Sequence, residues 1–213
     1  MTSAPQTTRS DEELLRLALA GDEQSFTALY GRRQAGIYRF ALQMCGSESV
    51  AEDVLQEVFM ALIREGQRFD PARGTLSSYL YGVARNQVLR RLERDRPFAA
   101  SLDDDSGHGE AADDVHDARP DPLSELARAE TVASVRQAVL ALPAHYREVV
   151  VLCELHEMSY AEAAGALNCA VGTVRSRLHR ARALLTDKLT EQRARAGEER
   201  PARESFSGAR CFA

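Results

Sequence analysis

The chain has no tryptophan, and aromatic residues fill only 6% of its 213 positions. A core built almost without rings has to be assembled from Leu, Val and Ala, which favours small helical units. No apolar run approaches the roughly 18 residues that a membrane helix needs. Residues 1–10 carry one Arg and no apolar stretch, so neither a secretory signal nor membrane insertion is expected. Four cysteines, Cys45, Cys153, Cys169 and Cys211, stand apart with no C-x-x-C pair. That spacing excludes a zinc ribbon and a disulfide framework. Cys153 and His156 have the gap of half a metal site, yet no matching ligands accompany them. The expectation is free thiols in a reducing cytoplasm, with no metal and no cofactor.

Lysine is nearly missing as well: of 27 basic residues only Lys188 is not arginine. Arginine's planar fork suits phosphate and guanine edges, although an arginine-rich genome composition accounts for the bias equally well. The net charge of −5 hides an uneven distribution. Residues 101–125 hold nine acids and one base, Arg119, a local charge of −8, so the rest of the chain carries +3. Pro97, Pro120, Pro122, Gly107 and Gly109 accompany those acids. Such a stretch cannot pack a core, and it predicts a flexible acidic linker over 97–122. Residues 1–10 and 191–213 read as disordered ends.

Everything between reads as helix, without sustained alternation of period two. The expected architecture is all-α: a helical domain over 11–96 and a second over 123–190. Ser10-Asp-Glu-Glu13 and Ser49-Val-Ala-Glu52 are capping boxes opening helices. Others follow at 75–94, 123–142, 144–155, 160–167 and 171–189.

In the second half, Ser159-Tyr-Ala-Glu162 caps a short helix that ends before Asn168, a residue tolerant of left-handed backbone. The chain restarts at Val171-Gly-Thr. Two helices joined so tightly form a helix-turn-helix, whose second helix fits the major groove. At about 100° per residue, Val174, Leu178, Ala181 and Leu185 share one stripe of that helix. Gly172, Ser176 and His179 lie opposite, flanked by Arg175 and Arg180. Small residues let backbone approach DNA there, and the polar ones can bond base edges or phosphates. A solvated helix face has the same composition, so both readings stand on this evidence.

The first half carries two polar rows. Asp53, Gln56 and Glu57 line up with Glu52 opposite an apolar half-wheel of Val54, Leu55, Val58 and Leu62. This is either the wet side of a bundle helix or a docking stripe for a basic partner helix. Tyr79, Asn86 and Arg90 share a second row near Arg85, beside a loop holding Phe69 and Arg73. An aromatic, an amide and cations together suit a single-stranded base and its backbone. An exposed face with one half-buried Tyr is the plainer alternative.

Taken together, Asp53-Val-Leu-Gln56-Glu57-Val-Phe59, Tyr79-Leu-Tyr81-Gly-Val-Ala-Arg85-Asn86, Leu142-Pro143 with Arg147-Glu148-Val149-Val150, and Val171-Gly172-Thr173-Val174-Arg175-Ser176-Arg177 resemble bacterial RNA polymerase sigma factors of the extracytoplasmic-function (ECF) group. The resemblance covers about 11–189. It implies a non-enzymatic initiation factor with promoter DNA, core RNA polymerase and an anti-sigma factor as partners, answering a stress or envelope signal. Asp53, Gln56 and Glu57 would dock on the clamp helices of the largest polymerase subunit. Phe69, Arg73, Tyr79, Arg85, Asn86 and Arg90 would serve the −10 element and its melting. Thr173, Arg175, Ser176, His179 and Arg180 would read the −35 element. Tyr79 stands where many relatives carry Trp, and His179 at a variable position. The acidic linker would thread through polymerase. Two rivals remain: a helix-turn-helix regulator acting without polymerase, and a helical enzyme. The first would need a dimer seam, and the second a catalytic cluster; neither is visible in the sequence.

Overall fold

The computed structural model describes residues 9–99 and 122–198. Residues 1–8, most of the acidic linker (100–121) and 199–213, with Cys211, lie outside the described residues. Eight α-helices and two short 3-10 turns make up the described fold, with no strand among the described residues.

The first unit is a bundle of α1 (Asp11–Leu19), α2 (Glu23–Cys45), α3 (Glu48–Glu65) and α4 (Leu76–Ala99). Ser10 caps α1 by accepting the Glu13 N–H. Asp22 caps α2, and Gly46 ends it in left-handed backbone at φ 74°. Gly46 stands there because an L side chain would strain that conformation. Its turn leaves room for one residue before the next helix, so Ser47 becomes the cap of α3 and accepts the Val50 N–H. The box expected at Ser49 is therefore displaced by two residues, and Ser49 sits inside the helix, bonded to Ser47. Leu14, Leu29, Ile37, Phe40, Val54, Val58, Leu62, Leu76, Leu80 and Val88 close the core, and all are essentially dry. Between α3 and α4 the chain turns through Gly66–Arg68 and Pro71–Arg73.

The second unit contains α5 (Pro122–Leu140), α6 (Ala144–Val150), α7 (Tyr160–Leu167) and α8 (Val171–Glu198). A π-helical turn, Val151–Leu155, prolongs α6. Ser159 and Glu162 form the reciprocal capping box, and Asn168 closes α7 at φ 49°. Both features agree with the sequence pattern. Helix α8 runs on to Glu198, past the position where a tail was expected to begin. Ser134 of α5 donates to the Gln192 side chain at 2.7 Å, which ties that extension to the unit.

Val174, Leu178 and Ala181 of α8 are buried, as the wheel requires. Truncating Leu178 would leave a void between α8 and α6. We expect Leu178→Ala to cost about 2–5 kcal/mol, read as a lower urea midpoint at an unchanged denaturant slope. Ser159→Ala, which removes the cap of α7, should cost about 1 kcal/mol by the same measurement.

Candidate nucleic-acid interface

Helix α8 turns its buried stripe inward and leaves Arg175, Ser176, His179 and Arg180 exposed on the other side. Gly172 beside them has open space where a Cβ would stand. Thr173 is half-buried at the start of the helix, and its carbonyl accepts the Ser176 hydroxyl at 3.0 Å. The Arg175 guanidinium lies 5.8 Å from the ring centroid of Tyr160, the first residue of α7. That cation–π contact steadies the side chain without covering its donors. The structure thus brings the four polar residues together on one accessible face.

The α3 row is also open. Asp53 is 66% exposed, with Arg91 of α4 3.7 Å away. Gln56 is exposed, and Glu57 pairs loosely with Arg64 at 3.6 Å. Two residues outside the expected row, Met60 and Ile63, are exposed apolar side chains on the same helix face. At about 100° per residue Met60 falls between Gln56 and Arg64, and Ile63 lies just on the far side of Gln56. The stripe therefore combines carboxylates with apolar area. Its signal in the sequence was two hydrophobics off the buried half-wheel.

The α4 row is only partly assembled. Asn86 and Arg90 are exposed, and Arg73 is exposed in the neighbouring turn. Tyr79, however, is half-buried with its ring 5.6 Å from that of Phe69. Burial pushes its hydroxyl above the usual tyrosine range. Arg85 is largely drawn in from solvent, its side chain 22% exposed. Its Nη1 reaches the Asn86 Oδ1 at 3.4 Å, while Nε lies 2.9 Å from Oε2 of Glu148 on α6. The approach is an ion pair whose angle falls outside a hydrogen bond. Glu148 is only 2% exposed, so the pair sits where loss of either charge is costly, about 3–5 kcal/mol.

Arg85 is one of several contacts that join the two units. The imidazole of His156, just after the π turn, lies between the Tyr81 hydroxyl and the Gln43 amide oxygen, each at 3.0 Å. A neutral ring with its proton on Nε2 satisfies both, accepting from Tyr81 and donating to Gln43. Its ring also meets Phe40 edge-on at 6.1 Å. Burial, with the Arg39 charge adding to it, pulls the His156 pKa down to about 4. Arg147 donates to the carbonyls of Met44 and Leu140, and to that of Leu142 at 3.0 Å. One guanidinium thereby serves carbonyls at the C-terminal ends of both α2 and α5, which their own helices leave unpaired. Backbone approaches are close as well. A Cβ on Gly82 would stand 3.2 Å from the Ala166 carbonyl oxygen, and one on Gly46 would stand 3.0 Å from Leu140.

These joining residues carry no periodic signal. His156 offered only half of a metal site. It has no metal-binding company, since no group of three or more His, Cys, Asp or Glu capable of holding an ion occurs among the described residues. Cys45, Cys153 and Cys169 are free thiols, and burial raises the first two above their ordinary pKa. No helix among the described residues is long and apolar enough to cross a membrane.

Comparison with known proteins gives matches in both halves. The family described as Sigma-70 region 2 matches residues 29–97, and Sigma-70, region 4, matches residues 133–185. The ECF RNA polymerase sigma factor SigM of Mycobacterium tuberculosis is 32% identical over 180 residues, covering 83% of each chain. The ECF RNA polymerase sigma factor SigE of Mycolicibacterium smegmatis is 33% identical over 156 residues, 73% of this chain and 58% of that relative. Among solved structures, CnrH in complex with the cytosolic domain of CnrY is 28% identical with a TM-score of 0.62, covering 86% of this chain and 99% of that one.

His156 supplies a pH test. Unfolded, its ring takes a proton below about pH 6.5; native, it resists until about 4. Stability is therefore fully present above pH 6.5 and falls as the pH drops through that window. Unfolding free energy should be at most about 2 kcal/mol lower at about pH 5 than at about pH 7, allowing for the partial exposure of the ring. His156→Gln should remove that part of the pH dependence in urea titrations.

Proposed function

The chain belongs to the ECF RNA polymerase sigma factors, and on that premise we propose how its residues divide the work of promoter recognition. The exposed row on α8, backed by a dry apolar stripe, is the observation that carries the reading. Inserted in the major groove, it presents Arg175 and Arg180 as forked donors to guanine or phosphate and Ser176 and His179 as hydrogen-bonding neighbours. Thr173 sits at the helix start, where backbone N–H groups favour a phosphate. This is the −35 contact.

The α4 row serves the −10 element. Asn86 bonds the edge of an unpaired base, Arg73, Arg85 and Arg90 hold the strand, and the Phe69–Tyr79 ring pair offers a stacking surface. In the closed molecule Arg85 is engaged with Glu148, so it joins this group only once the two units part. Along α3, Asp53, Gln56 and Glu57 meet a basic helix pair of the largest polymerase subunit, and Met60 and Ile63 add apolar contact. The chain supplies specificity and melting, and polymerase supplies the chemistry, in the reducing cytoplasm where transcription takes place. The anti-sigma partner expected for the chain finds a parallel in CnrH, solved with the cytosolic domain of CnrY. A regulator acting without polymerase would leave the match of the first unit unexplained.

Run-off transcription with core polymerase on a genomic fragment library tests the reading, and initiation only when the chain is added is the expected result. Arg175→Ala or Arg180→Ala should weaken promoter binding by about 1–3 kcal/mol each, measured on the assembled holoenzyme. Asn86→Ala should leave duplex binding intact while permanganate reactivity of the −10 thymines drops. Reversing the charge of Asp53 and Glu57 together should abolish co-purification with core polymerase.

A further inference from the structure

Arg175 and Arg180 stand on opposite flanks of the α8 row, and the fold supports them unequally. The Arg175 guanidinium carbon lies over the ring of Tyr160, 5.8 Å from its centroid. Arg180 is exposed and has neither a ring nor an ion-pair partner among the described residues. Tyr160 is held in place by its neighbours along the chain. It follows Ser159, whose reciprocal box with Glu162 fixes where α7 begins.

A second arginine approaches the same tyrosine. Arg182 follows about two turns further along α8, within about 20° of Arg175 on the helical wheel. Its Nε donates to Oε1 of Glu154 at 3.2 Å, and its Nη2 donates to the same oxygen. Glu154 belongs to the π-helical turn that prolongs α6. Glu154 foremost, with the Tyr160 hydroxyl adding to it, holds Arg182 above the usual arginine range. Two cations on one flank would otherwise compete for one ring face. The Glu154 carboxylate engages Arg182 and leaves that face to Arg175.

A long arginine side chain loses rotamer freedom when it docks, and one already steadied loses less. Orientation also decides what the fork binds. A bidentate contact needs the guanidinium plane aligned with a guanine edge, whereas a phosphate accepts it from many directions.

We propose that Tyr160 is a positioning residue for −35 recognition: its ring holds the Arg175 guanidinium in one orientation for a base edge, and the Glu154–Arg182 pair keeps the second cation off that ring. This rests on the assignment of the α8 row to the −35 element. The two flanks of the row then differ in kind. Arg175 reads with a preset fork, and Arg180 takes its orientation from the DNA.

Binding is read with the full chain assembled on core polymerase. The probe is a promoter fragment recovered by run-off transcription, with single base-pair changes across its −35 element. Tyr160→Leu should weaken binding about two- to fivefold and relax the preference at the base pair where Arg175→Ala relaxes it. Tyr160→Phe, which keeps the ring, should bind as the parent does. In an Arg175→Ala chain, Tyr160→Leu should add nothing. A loss that persists in the Arg175→Ala background overturns the proposal, because it marks a general disturbance of the helix-turn-helix. So does a loss in Tyr160→Phe as large as in Tyr160→Leu, which marks a hydroxyl contact with DNA. Full affinity in Tyr160→Leu while Arg175→Ala is impaired overturns the positioning role and leaves the −35 assignment standing. Full affinity in Arg175→Ala removes that assignment and the proposal with it. Should Tyr160→Leu disturb folding, the parent chain decides the matter by magnetic resonance. The ring current should move the Arg175 guanidinium N–H signals upfield in the free full-length protein, and unshifted signals overturn the contact. Glu154→Gln should lessen the shift as Arg182 comes to share the ring; an unchanged shift overturns the part given to the Glu154–Arg182 pair.

Discussion

A carboxylate cut off from water survives as a charge only beside a cation, and Glu148 has to find its cation outside its own unit. Arg85 provides it from α4. Much of the Coulomb attraction in such a pair goes to offset the desolvation of both groups. The pair therefore fixes register more than it adds affinity, and packing around it supplies the rest: α7 against α4, Leu140 against Gly46, Phe40 against the His156 ring. An association built this way is specific in geometry, because each contact holds the units at one register.

The surfaces left open and the surface covered divide by helix face. Asp53, Gln56, Met60 and Ile63 stand outside the contact, as do Arg175, Ser176, His179 and Arg180. What the contact covers is one side of α4. The fold thus leaves the α3 and α8 rows open and covers part of α4. The separation comes from helix faces alone: α4 gives Leu80, Ala84 and Val88 to its own bundle, Tyr81 and Arg85 to the second unit, and Asn86 and Arg90 to solvent.

Features local in the sequence were legible in it. The period of apolar residues placed the buried stripe of α8, and Asn168 pointed to the left-handed turn that closes α7. The Ser159 box was read correctly because cap and carboxylate are three residues apart. At Ser47 and Ser49 the same logic met two candidates, and the end of the preceding helix at Gly46 decided between them. The extension of α8 was hidden because Thr190, Glu191 and Gln192 are polar enough for a tail yet compatible with helix, and only the partner Ser134 reveals which. The interunit contact was out of reach altogether. Tyr81 and His156 are 75 positions apart, and Gln43 and His156 are 113 apart; no periodicity links such pairs. The polar rows on α3 and α8 were recognisable as faces, whereas the fate of Arg85 depended on a helix elsewhere in the chain.

Gly82 has no side chain at the point where the main chain of Ala166 comes nearest. Any larger residue there would act as a shim, pushing the helices apart by a few tenths of an ångström without altering a charge, a hydrogen-bond donor or a base-reading group. How closely the two units approach is thus set by the absence of a single methyl group, at a position that belongs to none of the polar rows.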